Sequence, residues 1–173
     1  MGSWRLGLGL TLALVLAHDL PGVSAGSREW GPKRFELLDG VASEVVRDKD
    51  TGLIWERAPE SPILDWRGAL AHCYRRETGG RLGWRLPTVE ELGRLVAPAE
   101  PVAPKLPPGH PFEGVQALAG PVYDRYWSAT TDVDPEFAWH VTFGNGTVGR
   151  SRKNGIAAVS LFYAWCVRDG GSR

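Results

Sequence analysis

Gly83-Trp84-Arg85-Leu86-Pro87-Thr88-Val89-Glu90-Glu91-Leu92 is the stretch that decides the fold class. The Thr88 hydroxyl can accept the Glu91 amide while the Glu91 carboxylate reaches back to the amide of Thr88, a reciprocal pair that starts a helix. Leu92, Leu95 and Val96 then supply its buried face. Upstream, Asp65 offers an N-cap for an earlier helix to about Glu77, with Trp66, Ala69, Leu70, Cys73 and Tyr74 recurring at three and four residues. That stripe faces a core and takes Cys73 inward; Gly79-Gly80 ends the helix. Before it, Glu44 to Arg47 and Leu53 to Arg57 are short β-like runs around the turn-rich Asp48-Lys49-Asp50-Thr51-Gly52, so a hairpin is expected.

Downstream of Val96 the pattern breaks. Residues 97–122 form a long, Pro-rich, irregular excursion, the kind of loop that is often functional. The period then changes to two. Tyr126 to Thr130 reads as a strand, and in Phe137 to Phe143 the residues Phe137, Trp139, Val141 and Phe143 are expected on one face, with Ala138, His140 and Thr142 on the other. Gly144-Asn145-Gly146 turns the chain into Thr147 to Arg150, and the sequon Asn145-Gly146-Thr147 reads as part of that turn. Leu161 to Arg168 is almost continuously apolar, which predicts a central strand. Strands, two helices, a long loop and an antiparallel sheet, in that order, make an α+β domain.

At the N-terminus Arg5 precedes an apolar run from Leu6 to Ala17, followed by Val23-Ser24-Ala25, so residues 1–25 read as a signal peptide, with an uncleaved anchor as the alternative. The remainder divides into a lead-in, 26–43, one domain, 44–170, and a short tail, 171–173. Export permits a disulfide, and two cysteines without a CxxC or His cluster favour a Cys73–Cys166 bridge over a metal site; a pair of buried thiols is the alternative. The 20 basic and 20 acidic residues cancel, which gives no support to steering toward nucleic acid or an anionic membrane.

Asp48-Lys49-Asp50-Thr51-Gly52-Leu53-Ile54-Trp55, Trp66 through Cys73, Gly83 through Leu92, Tyr126-Trp127-Ser128-Ala129-Thr130, Ala138-Trp139 and Cys166-Val167-Arg168 occur in that order. As an ordered set they resemble the Lcl C-terminal domain family, the terminal module of a bacterial collagen-like adhesin, over roughly Val45 to Gly170. The resemblance implies a C-type-lectin-like fold in which two helices flank a small twisted antiparallel sheet and a long irregular loop hangs from one side. It also implies periplasmic or extracellular placement and, in the adhesin, a trimer that binds sulfated polysaccharide. Two departures stand against full transfer: the sequence carries no Gly-X-Y stalk, and Pro98 to Pro111 looks like an insertion. Arg85-Leu86-Pro87-Thr88 and the Cys-Val-Arg ending also resemble the formylglycine-generating enzymes, whose chemistry needs a reactive cysteine pair beyond the two present here.

The candidate ligand residues follow from charge and aromaticity. Arg150, Arg152 and Lys153 form a basic cluster able to take sulfate or phosphate, against the plainer reading of a solvated strand end. Arg75, Arg76, Arg81 and Arg85 suit a helix C-terminus and read as structural. Asp132, Asp134 and Glu136, with Asp124 upstream, are weak calcium candidates, with turn formation as the better explanation; Asp48-x-Asp50-x-Gly52 reads the same way. Trp55, Trp66, Trp139 and Trp165 read as packed interior, leaving Trp84 and Trp127, at loop flanks, as sugar-stacking candidates. With no HExxH, nucleophile elbow or phosphate loop, the expectation is a non-enzymatic module without a cofactor. Its partner would be a polysaccharide or, through an apolar patch around Leu106 to Phe112, an envelope protein.

Overall fold

Asp48, at the end of a strand, organises the first turn. Its carboxylate accepts from Arg34 Nε and Nη2, from the Asp50 amide and from Thr51 Oγ1, and Gly52 completes the turn at φ 74°. The Arg34 guanidinium holds the Asp48 carboxyl below its ordinary pKa against the opposing effect of burial. The expected hairpin therefore forms, as β2 (Val45–Asp48) and β3 (Ile54–Glu56), antiparallel with Val46 opposite Trp55. The computed structural model describes residues 34–38, 44–59, 61–117, 124–155 and 160–171. The signal peptide, most of the lead-in, residues 118–122 of the loop and the last two tail residues lie outside the described residues. Within the lead-in, Phe35–Leu37 forms β1, which pairs with β2.

Helix α1, Trp66–Tyr74, is capped as expected: Asp65 Oδ1 accepts from the Gly68 amide at 2.7 Å. It buries Ala69 and Cys73 but stops three residues short of Glu77 and leaves Tyr74 83% exposed, a correction to the expected stripe. Helix α2, Val89–Gly93, starts with the reciprocal cap: Glu91 N donates to Thr88 Oγ1 at 3.2 Å, and Thr88 N donates to Glu91 Oε2 at 2.8 Å. The remaining strands are β4 (Arg125–Thr131), β5 (Phe137–Thr142), β6 (Thr147–Arg152) and β7 (Val167–Arg168). They complete two antiparallel sheets, ordered β1-β2-β3-β7 and β4-β5-β6.

The C-terminal segment joins the sheets. Only β7 is regular strand, so the long continuous strand expected over Leu161 to Arg168 does not form. Phe162 bonds Leu64, Tyr163 bonds the backbone of Arg125 and Trp127, and Val167 bonds Arg85, so successive residues change partners. Its central position is nevertheless correct. Trp165 and Val167 enter one core with Trp55, Leu92, Leu95, Leu106, Phe112, Tyr126 and Phe143. Phe162, Ala164 and Cys166 alternate into a second core with Ala69, Cys73, Trp84, Leu86 and Trp127. Burial of alternate residues in opposite cores explains why the segment is apolar throughout. The long loop folds back onto the first core: Lys105 N donates to Phe143 O, and Leu106 and Phe112 are only 2% and 5% exposed.

Cys73 and Cys166 are disulfide-bonded with Cα atoms 5.3 Å apart across a separation of 93 residues, joining α1 to the central segment. Beside the bridge lies the buried Glu56 carboxylate. Its Oε1 accepts from Arg76 Nε at 2.5 Å and Thr78 Oγ1 at 2.9 Å, and its Oε2 accepts from the Cys166 amide at 3.0 Å. Replacing both cysteines by serine should lower unfolding free energy by about 2 to 5 kcal/mol, read as a lower urea midpoint. An unchanged midpoint would show that the bridge does not stabilise the fold.

Candidate functional site

The β5–β6 hairpin supplies the most distinctive exposed chemistry. Its register sets Phe137 opposite Arg152 and Trp139 opposite Arg150, and opposed residues of an antiparallel pair share a face. The face that Tyr126 and Val141 bury in the first core farther along the sheet is therefore only partly covered at Phe137 and Trp139. Both guanidinium carbons stand over the Phe137 ring, Arg150 at 5.4 Å and Arg152 at 5.0 Å from its centroid. Their side chains are each 54% exposed.

The acidic turn between β4 and β5 closes on these cations. Arg150 Nη1 donates to Asp132 Oδ1 at 2.8 Å, and Arg152 Nη1 donates to Glu136 Oε2. Lys153 lies on the other side of the turn, where Nζ donates to Pro135 O at 2.8 Å and sits 4.3 Å from the centroid of the Trp66 ring. Two members of the basic cluster are thus paired with two of the calcium candidates, Arg150 with Asp132 and Arg152 with Glu136. Asp132 Oδ1 also accepts from the Asp134 amide, and Asp134 Oδ1 from the Glu136 amide. These are local side-chain turns, which supports the plainer reading of the three acids. Among the described residues no group of three or more His, Cys, Asp or Glu converges as a metal site. Asp124 stands apart, buried, with its carbonyl accepting the Phe143 amide, and burial pushes its carboxyl pKa up.

Trp84 and Trp127 are not available for stacking. They are 2% and 0% exposed, and their indole N–H groups donate to Arg81 O and Leu64 O. Both rings are needed to fill the second core, which is why loop-flanking tryptophans turn inward here. Conversely Trp139 and Trp66, expected inside, are only partly buried. The expected alternation of β5 forms, but at this end of the strand Ala138 and His140 are buried, while Phe137 and Trp139 remain partly open. The missed signal was the register counted back from Gly144-Asn145-Gly146, which places an arginine opposite each of those two aromatics.

The second basic group is expected to be structural throughout, and for two of its four members, Arg76 and Arg85, ion pairs support that reading. Arg76 holds Glu56, and Arg85 makes a two-pronged bond to Glu91 and a further one to Asp169. A cleft of about 580 Å³ opens beside Arg76 and is lined by Glu44, Arg57, Glu77, Thr78 and Glu113. Both guanidinium groups there are already paired, Arg57 with Glu113 and Arg76 with Glu56. A smaller cleft of about 400 Å³ adjoins the acidic turn, between Asp65, Arg67, Pro135, Glu136, Lys153 and Asn154.

This geometry defines a small disulfide-stapled α+β domain whose accessible chemistry is an aromatic sheet face carrying arginines. The sequence profile of the Lcl C-terminal domain family matches residues 44–168, and the chain belongs to that family. No curated protein matches the chain.

Behind this face, His140 packs against Trp127 and Phe162, and a Cβ at Gly149 would come within 2.9 Å of its ring. Burial, aided by Arg125, pushes its pKa down to about 4. Because the unfolded chain takes up this proton near pH 6.5 and the folded chain does not, the neutral ring costs nothing at pH 7. Stability is then lost as pH falls from 6.5 toward 4, by up to about 3 kcal/mol. Burial likewise lowers the pKa of His72 and of His110, which adds in the same direction. Urea midpoints should fall between pH 7 and 5, and His140→Gln should flatten that slope; an equal slope in the variant would assign it to other groups.

Proposed function

We propose that this chain is an exported, non-enzymatic binding module, periplasmic or extracellular, of C-type-lectin-like fold. In this reading it recognises an anionic polysaccharide, sulfated above all, in an adhesin-like role. The observation that carries the reading is the ladder of Phe137, Trp139, Arg150 and Arg152 on one open sheet face. A flat indole complements the apolar face of a pyranose, and guanidinium forks pair with sulfate in two-pronged geometry. Arginines already stacked on Phe137 lose less freedom on binding than free side chains would. Export is supported by the leader-like N-terminus and by the disulfide, a bond that persists in oxidising compartments. Among the described residues no helix is long and apolar enough to cross a membrane.

A protein-binding role for the Pro-rich loop has less support. Leu106 and Phe112, the residues that would have formed its apolar patch, are packed in the core, and among the described residues of that loop Val102 is the exposed large apolar side chain.

Binding of residues 26–173 to immobilised heparin should be saturable, and Arg150→Ala with Arg152→Ala should weaken it about tenfold and flatten its salt dependence. Both side chains are half exposed, so the fold should persist. Unchanged affinity in the double variant would move the site elsewhere on the molecule.

A further inference from the structure

We infer that the β4–β5 turn is a built-in competitor for the arginine ladder, an internal anion that a polysaccharide must displace. This rests on the polyanion reading above and assigns Asp132 and Glu136 as its specificity determinants. The two guanidinium groups a ligand would use are the ones these carboxylates occupy: Arg150 with Asp132, Arg152 with Glu136. The Asp132 side chain is only 5% exposed and is anchored by the Asp134 amide, so it holds its position at the edge of the sheet. Glu136, by contrast, is 66% exposed and can swing away. Lys153 holds the turn from behind through Pro135 O and Thr131 Oγ1.

Displacement has a definite chemical requirement. Residues two apart on a strand lie roughly 7 Å from each other, so an entering chain must bring two anionic groups at about that spacing to compensate both arginines at once. A densely sulfated chain does so. A chain with a single carboxylate per disaccharide offers one group at a time and leaves an internal pair to be broken without replacement. The turn therefore raises the charge density a ligand needs, and weak polyanions are rejected by a face that would otherwise attract them.

Asp132→Asn with Glu136→Gln tests this without dismantling the turn, because each amide keeps an oxygen, and the one introduced at position 132 can still accept the Asp134 amide. Heparin should bind the double variant roughly three- to tenfold more tightly than the unsubstituted chain, the gain expected from releasing one exposed ion pair, Arg152 with Glu136, and one half-exposed pair, Arg150 with Asp132. Hyaluronan, which carries one carboxylate per disaccharide, should gain measurable binding only in the variant. A control with the same charge change elsewhere, Glu36→Gln with Glu77→Gln, should leave both affinities unchanged. Equal tightening in that control would overturn the inference, since net charge alone would then account for the gain. If the unsubstituted chain binds heparin and the turn variant binds no more tightly, polyanion recognition stands and the competitor role falls. If neither binds heparin, polyanion recognition itself fails and takes this inference with it.

Discussion

The Glu56 carboxylate is only 1% exposed, and a buried anion is tolerated only where its oxygens are matched. Here they are matched by two segments far apart in sequence: Arg76 and Thr78, just after α1, and the Cys166 amide of the central segment. The Glu56 carbonyl also accepts the Trp165 indole N–H at 2.9 Å. The disulfide makes covalent the same junction of α1 and the central segment. From this junction the chain can place Trp165 and Cys166 in opposite cores, and both sheets take their position from that segment. The face that carries Phe137, Trp139, Arg150 and Arg152 lies on the second of these sheets.

That face is organised by opposition of charge. The chain as a whole is neutral, and the hairpin reproduces this locally, with each exposed arginine facing a carboxylate. The Arg152–Glu136 pair is exposed on both sides, and such pairs contribute little to stability, typically below about 1 kcal/mol; in the Arg150–Asp132 pair the arginine alone is exposed. A small pairing energy would make such pairs exchangeable: in the proposed function, a ligand that supplies better-placed anions would replace them at little cost to the fold. The paired Arg76 and Glu56 are of the other kind, fixed by burial and by several hydrogen bonds. Two sets of arginines in one chain thus have different roles because their surroundings differ.

Local rules carried most of the fold. The Thr88 and Glu91 cap, the Asp65 cap, the Asp48 turn and the Gly144-Asn145-Gly146 turn each require only residues a few positions apart, and each forms where the sequence places it. The cysteine pairing was legible because two cysteines leave one partner each. What was misread depended on which of two faces gains cover. Trp84 and Trp127 sit beside loops in sequence, yet both fill the second core. Phe137 and Trp139 alternate like core residues, yet cover of their face is incomplete at that end of the sheet.

The sequence by itself determined the α+β order, the helix starts, the turns, the disulfide partners and the family. It also contained both charge clusters, but as separate features eighteen residues apart at Asp132 and Arg150. Only the tertiary structure decided that they neutralise one another, which aromatic rings stay accessible and that the apolar C-terminal segment changes partners between two sheets. The physical reason is common to all three. Caps and turns are settled by atoms within a few residues, whereas burial and ion pairing depend on which distant segments arrive on a given face, and that is fixed only when the cores close.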